Sequence, residues 1–507
     1  VGVIDDDLAD YNAAFVAAPS PFADIDNPTV AEINAVIASV NAINELVEDL
    51  NGDANATVLT LIELKAIQGT EDIIDANMSG YNTAFVAAPS PFADINNPTV
   101  TEINAVIDEV NSDVAIAELV EDLNGDANAT ALTAEQLKDI QGIVGVVDAD
   151  IADYNAAFVA APSPFADIDN PTVAEINAVI ASVNAINELV EDLNGDTNAT
   201  ALTSEQLKNI EGVTGVVDAD IANYNAAFVA APSQFADINN PTVAEINAVI
   251  ASVNAINELV EDLNGDANAT VLTLTELKAI QDVEDIIDAN MSGYNTAFVA
   301  APSPFLDINN PTIAEINAVI DEVNSDVALA ELVEDLNGDT NSTPLTAEQL
   351  KNIEGVTGVV DADIANYNAA FVAAPSQFAD INNPTVAEIN AVIASVNAIN
   401  ELVEDLNGDA NATVLTLTEL KAIQDVEDII DANMSGYNTA FVAAPSPFVD
   451  INNPTVAEIN AVIDEVNSDV ALTELVEDLN GDTNATALTS EQLKNIEGVT
   501  GVVDADI

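Results

Sequence analysis

The chain has 507 residues and sets 88 Asp and Glu against seven Lys, for a formal net charge of −81 with no His, Cys, Trp or Arg. Thiol and imidazole catalysis, zinc sites built on nitrogen and sulfur, and arginine clamps on anions are thereby excluded. So strong a polyanion repels nucleic acid and anionic membrane and attracts cations, calcium above all, while a hydrophobic content of 49% leaves enough apolar surface for modest cores.

Tyr11, Tyr81, Tyr154, Tyr224, Tyr294, Tyr367 and Tyr437 recur at intervals of 70, 73, 70, 70, 73 and 70 residues, and the lysines from Lys65 to Lys494 keep the same beat. A fixed period of this kind marks an array of small modules, each one supersecondary unit. The frame runs as a partial repeat over 1–59, which holds a second and a third helix, then repeats over 60–132, 133–202, 203–272, 273–345, 346–415 and 416–488, with a further one starting at 489–507. The opening VGVIDDDLADYN parallels VGVVDADIADYN at 144–155, so the chain reads as a window on a longer array, with targeting and anchoring segments elsewhere. No signal peptide or transmembrane run is visible.

In chain order, the first predicted element in full view is a long helix carrying Val30, Ile33, Ile37, Val40, Ile43, Leu46, Val47 and Leu50 on one apolar face and ending at Gly52. After an acidic turn comes a short helix. Thr60 and Glu63 form its capping box, Leu59 and Leu64 its hydrophobic staple, and it ends near Gln68-Gly69. A second helix is predicted from Ile74, Met78, Tyr81, Phe85 and Ala88, stopped by Pro89 and Pro91. The aromatic stripe reads as core rather than as a cofactor box. A loop over 91–99 then leads to another capping box, Thr99 with Glu102, with Asn97-Pro98 as a competing start. The third helix takes two forms: ASVNAINELVEDL at 38–50, and DEVNSDVAIAELVEDL at 108–123 with three more residues, which rotates the face or bulges the helix. Three such helices, none able to bury its face alone, predict an all-α fold, a linear tandem array of antiparallel three-helix bundles.

The acidic turn places Asp49, Asn51, Asp53 and Asn55 at alternate positions. The pattern recurs at Asp122, Asn124, Asp126 and Asn128, and at Asp192, Asn194, Asp196 and Asn198. It returns at Asp262, Asn264 and Asp266, at Asp335, Asn337 and Asp339, at Asp405, Asn407 and Asp409, and at Asp478, Asn480 and Asp482. A hard cation held by a coiling loop needs oxygens at this spacing, which matches the first part of an EF-hand or dockerin loop and points to calcium. The match is incomplete: Ala54 stands where Gly is needed and Thr60 where a bidentate Glu is needed. Asp94, Asn96 and Asn97 of the following loop would supply missing ligands if units stack end to end, and calcium would then stiffen each joint. The competing reading is that these Asp and Asn only cap helices and form Asx turns. The same turn holds an Asn-x-Thr sequon in every unit, from Asn55 to Asn484, and Asn77-Met-Ser79 with its two copies adds more, glycan acceptors if the protein is a secreted eukaryotic or archaeal one.

The phrases Leu-Thr-x-Glu-Gln-Leu-Lys-x-Ile at 132–140, Gly-Val-Thr-Gly-Val at 212–216 and Asn-Pro-Thr-Val-Ala-Glu-Ile at 240–246 together resemble the repeats of very large bacterial cell-surface adhesins and biofilm-associated proteins. The resemblance covers every unit. It implies secretion, attachment at the cell surface and a long repetitive stalk, with copies of itself or other surface and matrix proteins as partners. It gives no reason to expect nucleic acid or direct membrane contact in this segment. One surface repeated seven times suits spacing or filament building rather than an asymmetric catalytic site, so no enzyme is expected. The alternative is a multivalent array in which each repeat contacts a host or matrix protein weakly and avidity supplies the strength.

Overall fold

Thr99 opens a helix that runs unbroken from Val100 to Leu123 in the computed structural model. That structure describes residues 2–500 and 502, apart from 18–20, 55, 89, 127–128, 162, 197–198, 231, 267–268, 340–341, 374, 410–411 and 482–486. The Thr99 hydroxyl caps Glu102 N–H while the Glu102 carboxylate accepts from Thr99 N–H, so the competing Asn97-Pro98 start is not used. Thr60 and Glu63 close the same reciprocal box on the short helix Leu61–Ala66. Each cap is worth about 1 kcal/mol, and their repetition fixes where every short and long helix begins.

The middle helix is shorter than expected. A 3-10 turn, Asp75–Asn77, leads into an α-helix of eight residues, Met78–Phe85. Ile74 lies before it in extended backbone, and the helix ends ahead of the prolines. Among the described residues there is no strand. The chain divides into two compact units, Val1–Asn254 and Ala255–Ile507, and the same all-α tandem array of three helices per period builds each.

The long helix does not present one apolar face. Ile103, Val106, Ile107 and Val110 pack with Tyr81, Phe85, Phe92, Leu64 and Leu59, and that core is completed by Ala42 and Leu46 of the preceding long helix, Val30–Leu50. Farther along the helix that begins at Val100, Ala115 and Leu119 belong to the next core, with Leu132, Leu137, Tyr154 and Phe158. Each such core therefore borrows the end of one long helix and the start of the next. In the second unit the helix Ile313–Leu336 is divided likewise, Ile316 and Ile320 to one core and Ala328 and Leu332 to the other. Fully burying side chains of this size contributes about 1.5–3 kcal/mol each, so each of these cores draws much of its stability from a neighbouring period.

Pairs along the chain run antiparallel. Thr57 N–H meets Glu45 and Gln68 N–H meets Ser39, so the short helix descends beside the rising long one. The three extra residues produce rotation, not a bulge, since Val100–Leu123 is one continuous helix of 24 residues. Four helices of the shorter form, Val30–Leu50, Val173–Leu193, Val243–Leu263 and Val386–Asn407, reach a mean hydropathy of 1.3 and are long and apolar enough to cross a membrane by length and composition. That differs from the sequence-based expectation, because the Val, Ile, Leu and Ala that supply the hydropathy are interrupted by polar residues and form no unbroken apolar run.

Candidate functional site

The inter-period joint is where polar chemistry concentrates. After each short helix the chain crosses to the middle helix in extended and turn backbone, alongside the next long helix, leaving peptide groups that no helix or sheet satisfies. Side-chain amides of the long helix take them. Asn104 accepts from Glu71 N–H at 3.2 Å and donates to Gly69 O at 2.9 Å. Seven residues on, Asn111 donates to Asp72 O at 2.8 Å and accepts from the Tyr81 hydroxyl, which itself accepts from Ile74 N–H at 3.0 Å. The two carbonyls seized belong to residues in left-handed backbone, Gly69 at φ 87° and Asp72 at φ 53°. Asn177 with Asn184, Asn247 with Asn254, Asn317 with Asn324, Asn390 with Asn397 and Asn460 with Asn467 repeat the clamp. Ser39, midway along the preceding long helix, and Ser112 in the next period add an anchor, accepting from Gln68 and Gln141 N–H. Sequence reasoning missed these groups. Their signal was two Asn seven residues apart on a helix face otherwise apolar, a residue that is a poor helix former unless its side chain has work elsewhere.

The acidic turn is built as a helix stop. Asp53 N–H reaches Glu48 O and Gly52 N–H reaches Asp49 O, with Gly52 at φ 68°, a Schellman-type closure. Asn51 donates to Val47 O at 2.9 Å and, across the joint, to Asn96 Oδ1 at 3.2 Å. The structure thus brings Asn51 to the loop of the following period. Asn124 reaches Asp169, Asn194 reaches Asn239, Asn264 reaches Asn309, Asn337 reaches Asn382 and Asn407 reaches Asn452 in the same way. Among the described residues no three carboxylates converge closely enough to hold a metal ion. Asn55, Asn128, Asn198 and Asp482 lie outside the described residues, as do the sequon asparagines of these turns. The Asn77, Asn290 and Asn433 sequons have a different fate: each amide nitrogen donates into the helix, to Asn111, Asn324 and Asn467, and is already engaged where a glycan would attach.

Electrostatics separate two kinds of carboxylate. Bonds from the Thr99 side chain, then from Ala93 and Thr99 N–H, hold the Glu102 carboxyl below its ordinary range. Burial, then Asp72 and Glu71, pushes the Asp108 carboxyl up, and burial, then Asp72, Glu135 and Asp108, does the same to Asp139. Lysines do little to offset this. Lys65 pairs with Asp75 and Lys138 with Asp148 at exposed positions, where an ion pair contributes about 0–1 kcal/mol.

No protein-family model and no solved structure matches the chain. It is similar to extracellular matrix-binding protein EbhB of Staphylococcus aureus strain Newman, 24% identical over 78% of this chain and 7% of that protein. The extracellular matrix-binding protein ebh of strain NCTC 8325 / PS 47 is 24% identical over 78% of this chain and 5% of its own length. EbhB of strain N315 is 24% identical over 81% of this chain and 11% of its own length. The chain spans only a small part of the relatives it matches.

Proposed function

We propose that this chain is an extracellular repeat segment of a bacterial surface protein and serves as its shaft. The observation that carries this reading is the shared long helix. Where a flexible linker would otherwise join modules, consecutive cores are nailed to one continuous helix, and the Asn clamps tie the crossing segment to it. Names of the relatives support the extracellular setting. Electron microscopy of chains with increasing repeat number tests the shaft: length should grow by a constant increment per period, and compact particles of fixed dimension would overturn it.

A second role, contact with matrix proteins through many repeats, is favoured by the matrix-binding relatives. The chain should be retained on an immobilised matrix protein that releases a two-period fragment, and equal release of both removes this role. Calcium at the acidic turns is a further proposal resting on the oxygen spacing. About 1 mM calcium, in the range of extracellular sites, should raise the melting midpoint beyond sodium chloride at equal ionic strength. Equal midpoints would leave only screening.

A further inference from the structure

The three extra residues of the 24-residue helices open a groove at the joint. In the 21-residue helix Val173–Leu193 the serine anchor for the next core, Ser182, precedes the clamp residue Asn184. In Val100–Leu123 the order is reversed, with Asn111 before Ser112, so neighbouring periods stand farther apart by about 4.5 Å along the axis. The lining changes with the spacing. Asn187 lies three residues past the clamp and bridges to Asp153 at 3.3 Å. Its counterparts in the longer form are Val114 and Gly80, and Gly80 admits Val110 so closely that an added Cβ would sit 2.9 Å from it. A polar bridge has been replaced by an apolar floor.

The result is a cavity of about 730 Å³ between the crossing segment and the next short helix, floored by Ile73 and Val114 and rimmed by Asp72, Glu118, Glu135 and Asp139. Lys138, the cation lining it, is engaged by Asp148. The second unit has the groove in the same register over the helix Val456–Leu479, about 400 Å³, lined by Ile430, Val470, Glu474 and Glu491. The helix Ile313–Leu336 carries the same residues in sequence, with Ile287, Val327, Glu331 and Glu348.

We propose that these grooves bind extended basic peptide segments, with aliphatic side chains on the floor and Lys or Arg head groups at the acidic rim. Charge complementarity selects the occupant: an apolar floor alone would accept many chains, but a rim of carboxylates, of which Glu118 accepts only from the neutral Gln136 amide, rejects acidic ones and rewards cations. Burial first, and then repulsion from Asp72, lifts Asp108 and Asp139 beside the groove, so a bound cation relieves part of an existing strain. The inference rests on the matrix-contact reading for the source of the peptide and names the class of partner.

The test uses the whole chain and a fluorescein-labelled octapeptide alternating leucine and lysine, in about 0.15 M salt, where exposed charges more than about 8 Å apart are largely screened. Matched peptides alternate serine with lysine and leucine with glutamate. The leucine–lysine peptide should bind about tenfold tighter than the serine–lysine one, and the leucine–glutamate one should not bind. Ala76→Trp with Ala289→Trp and Ala432→Trp fills the grooves without changing charge, and should abolish that preference. Asp72→Asn with Asp285→Asn and Asp428→Asn should weaken binding several-fold more than Glu48→Gln with Glu261→Gln and Glu404→Gln, which removes the same charge elsewhere. Equal affinity for the two lysine peptides, or indifference to both groove variants, would overturn the proposal as mere attraction to a polyanion. Full retention of a matrix protein by the Trp-filled chain would also overturn it, while leaving matrix contact standing.

Discussion

Tyr81 is 0% exposed, yet its hydroxyl is part of a polar relay inside the core, receiving Ile74 N–H and donating to Asn111. Tyr81→Phe keeps the ring packing and strands the Ile74 N–H, for a local cost of about 1–3 kcal/mol. Hydrogen exchange should therefore quicken over 72–81 while the next period, with Tyr154 intact, keeps its protection; unchanged exchange would remove the relay from the account. Asn111→Leu should do more, because Asp72 O, Asn77 and Tyr81 lose a partner together. The tyrosine stripe was legible in the sequence as core, since spacing and hydrophobicity report which face is buried. What the hydroxyl touches was not, because its partner lies 30 residues away and no periodicity encodes a hydrogen bond. The same limit hid Asn104. The acidic turn suffered the opposite problem: oxygens at alternate positions suit both a cation and a helix stop, and only coordinates reveal Asn51 spending its amide on Val47 and Asn96.

At the scale of elements, caps were the most readable features, because a capping box needs only residues three apart. Thr60 with Glu63 and Thr99 with Glu102 stand where the sequence puts them. The long helix was misread as one-faced because the residues of two stripes, one starting at Ile33 and one at Ala42, merge into a single plausible row when projected on one wheel. The caps and the groove titrate in opposite senses. Glu102 has a lowered folded pKa, so its contribution is present above the unfolded value and fades as pH falls. Asp139 has a raised folded pKa, so its charged form burdens the fold at neutral pH and the burden lifts as pH falls through that value. Asp139→Asn should consequently raise the melting midpoint at pH 7, with the gain shrinking towards zero in acid. A gain independent of pH would show that burial and repulsion of the carboxylate are not its source.

For the molecule as a whole, the consequence of shared helices is that the unit of folding is out of phase with the unit of sequence. A polypeptide spanning 60–132 contains one short, one middle and one long helix, a complete repeat by period. It nonetheless lacks Ala42, Leu46 and Leu59 from its core, and it bares Ala115 and Leu119, which belong to the next core. A polypeptide spanning 30–123 holds two long helices and everything the first core buries. Losing one buried leucine costs about 2–5 kcal/mol against a typical domain stability of about 5–15 kcal/mol, so removing two leucines and an alanine takes most of what holds such a module. The 30–123 polypeptide should melt in one cooperative transition with dispersed methyl resonances, and 60–132 should be largely unfolded at the same temperature. Equal stability of the two would mean that each period closes on itself, and the long helix would then be a linker between finished bundles. If the order is as expected, nearest-neighbour coupling follows: each added period stabilises the one before it, and a chain of many periods resists unfolding from its interior better than any module does alone.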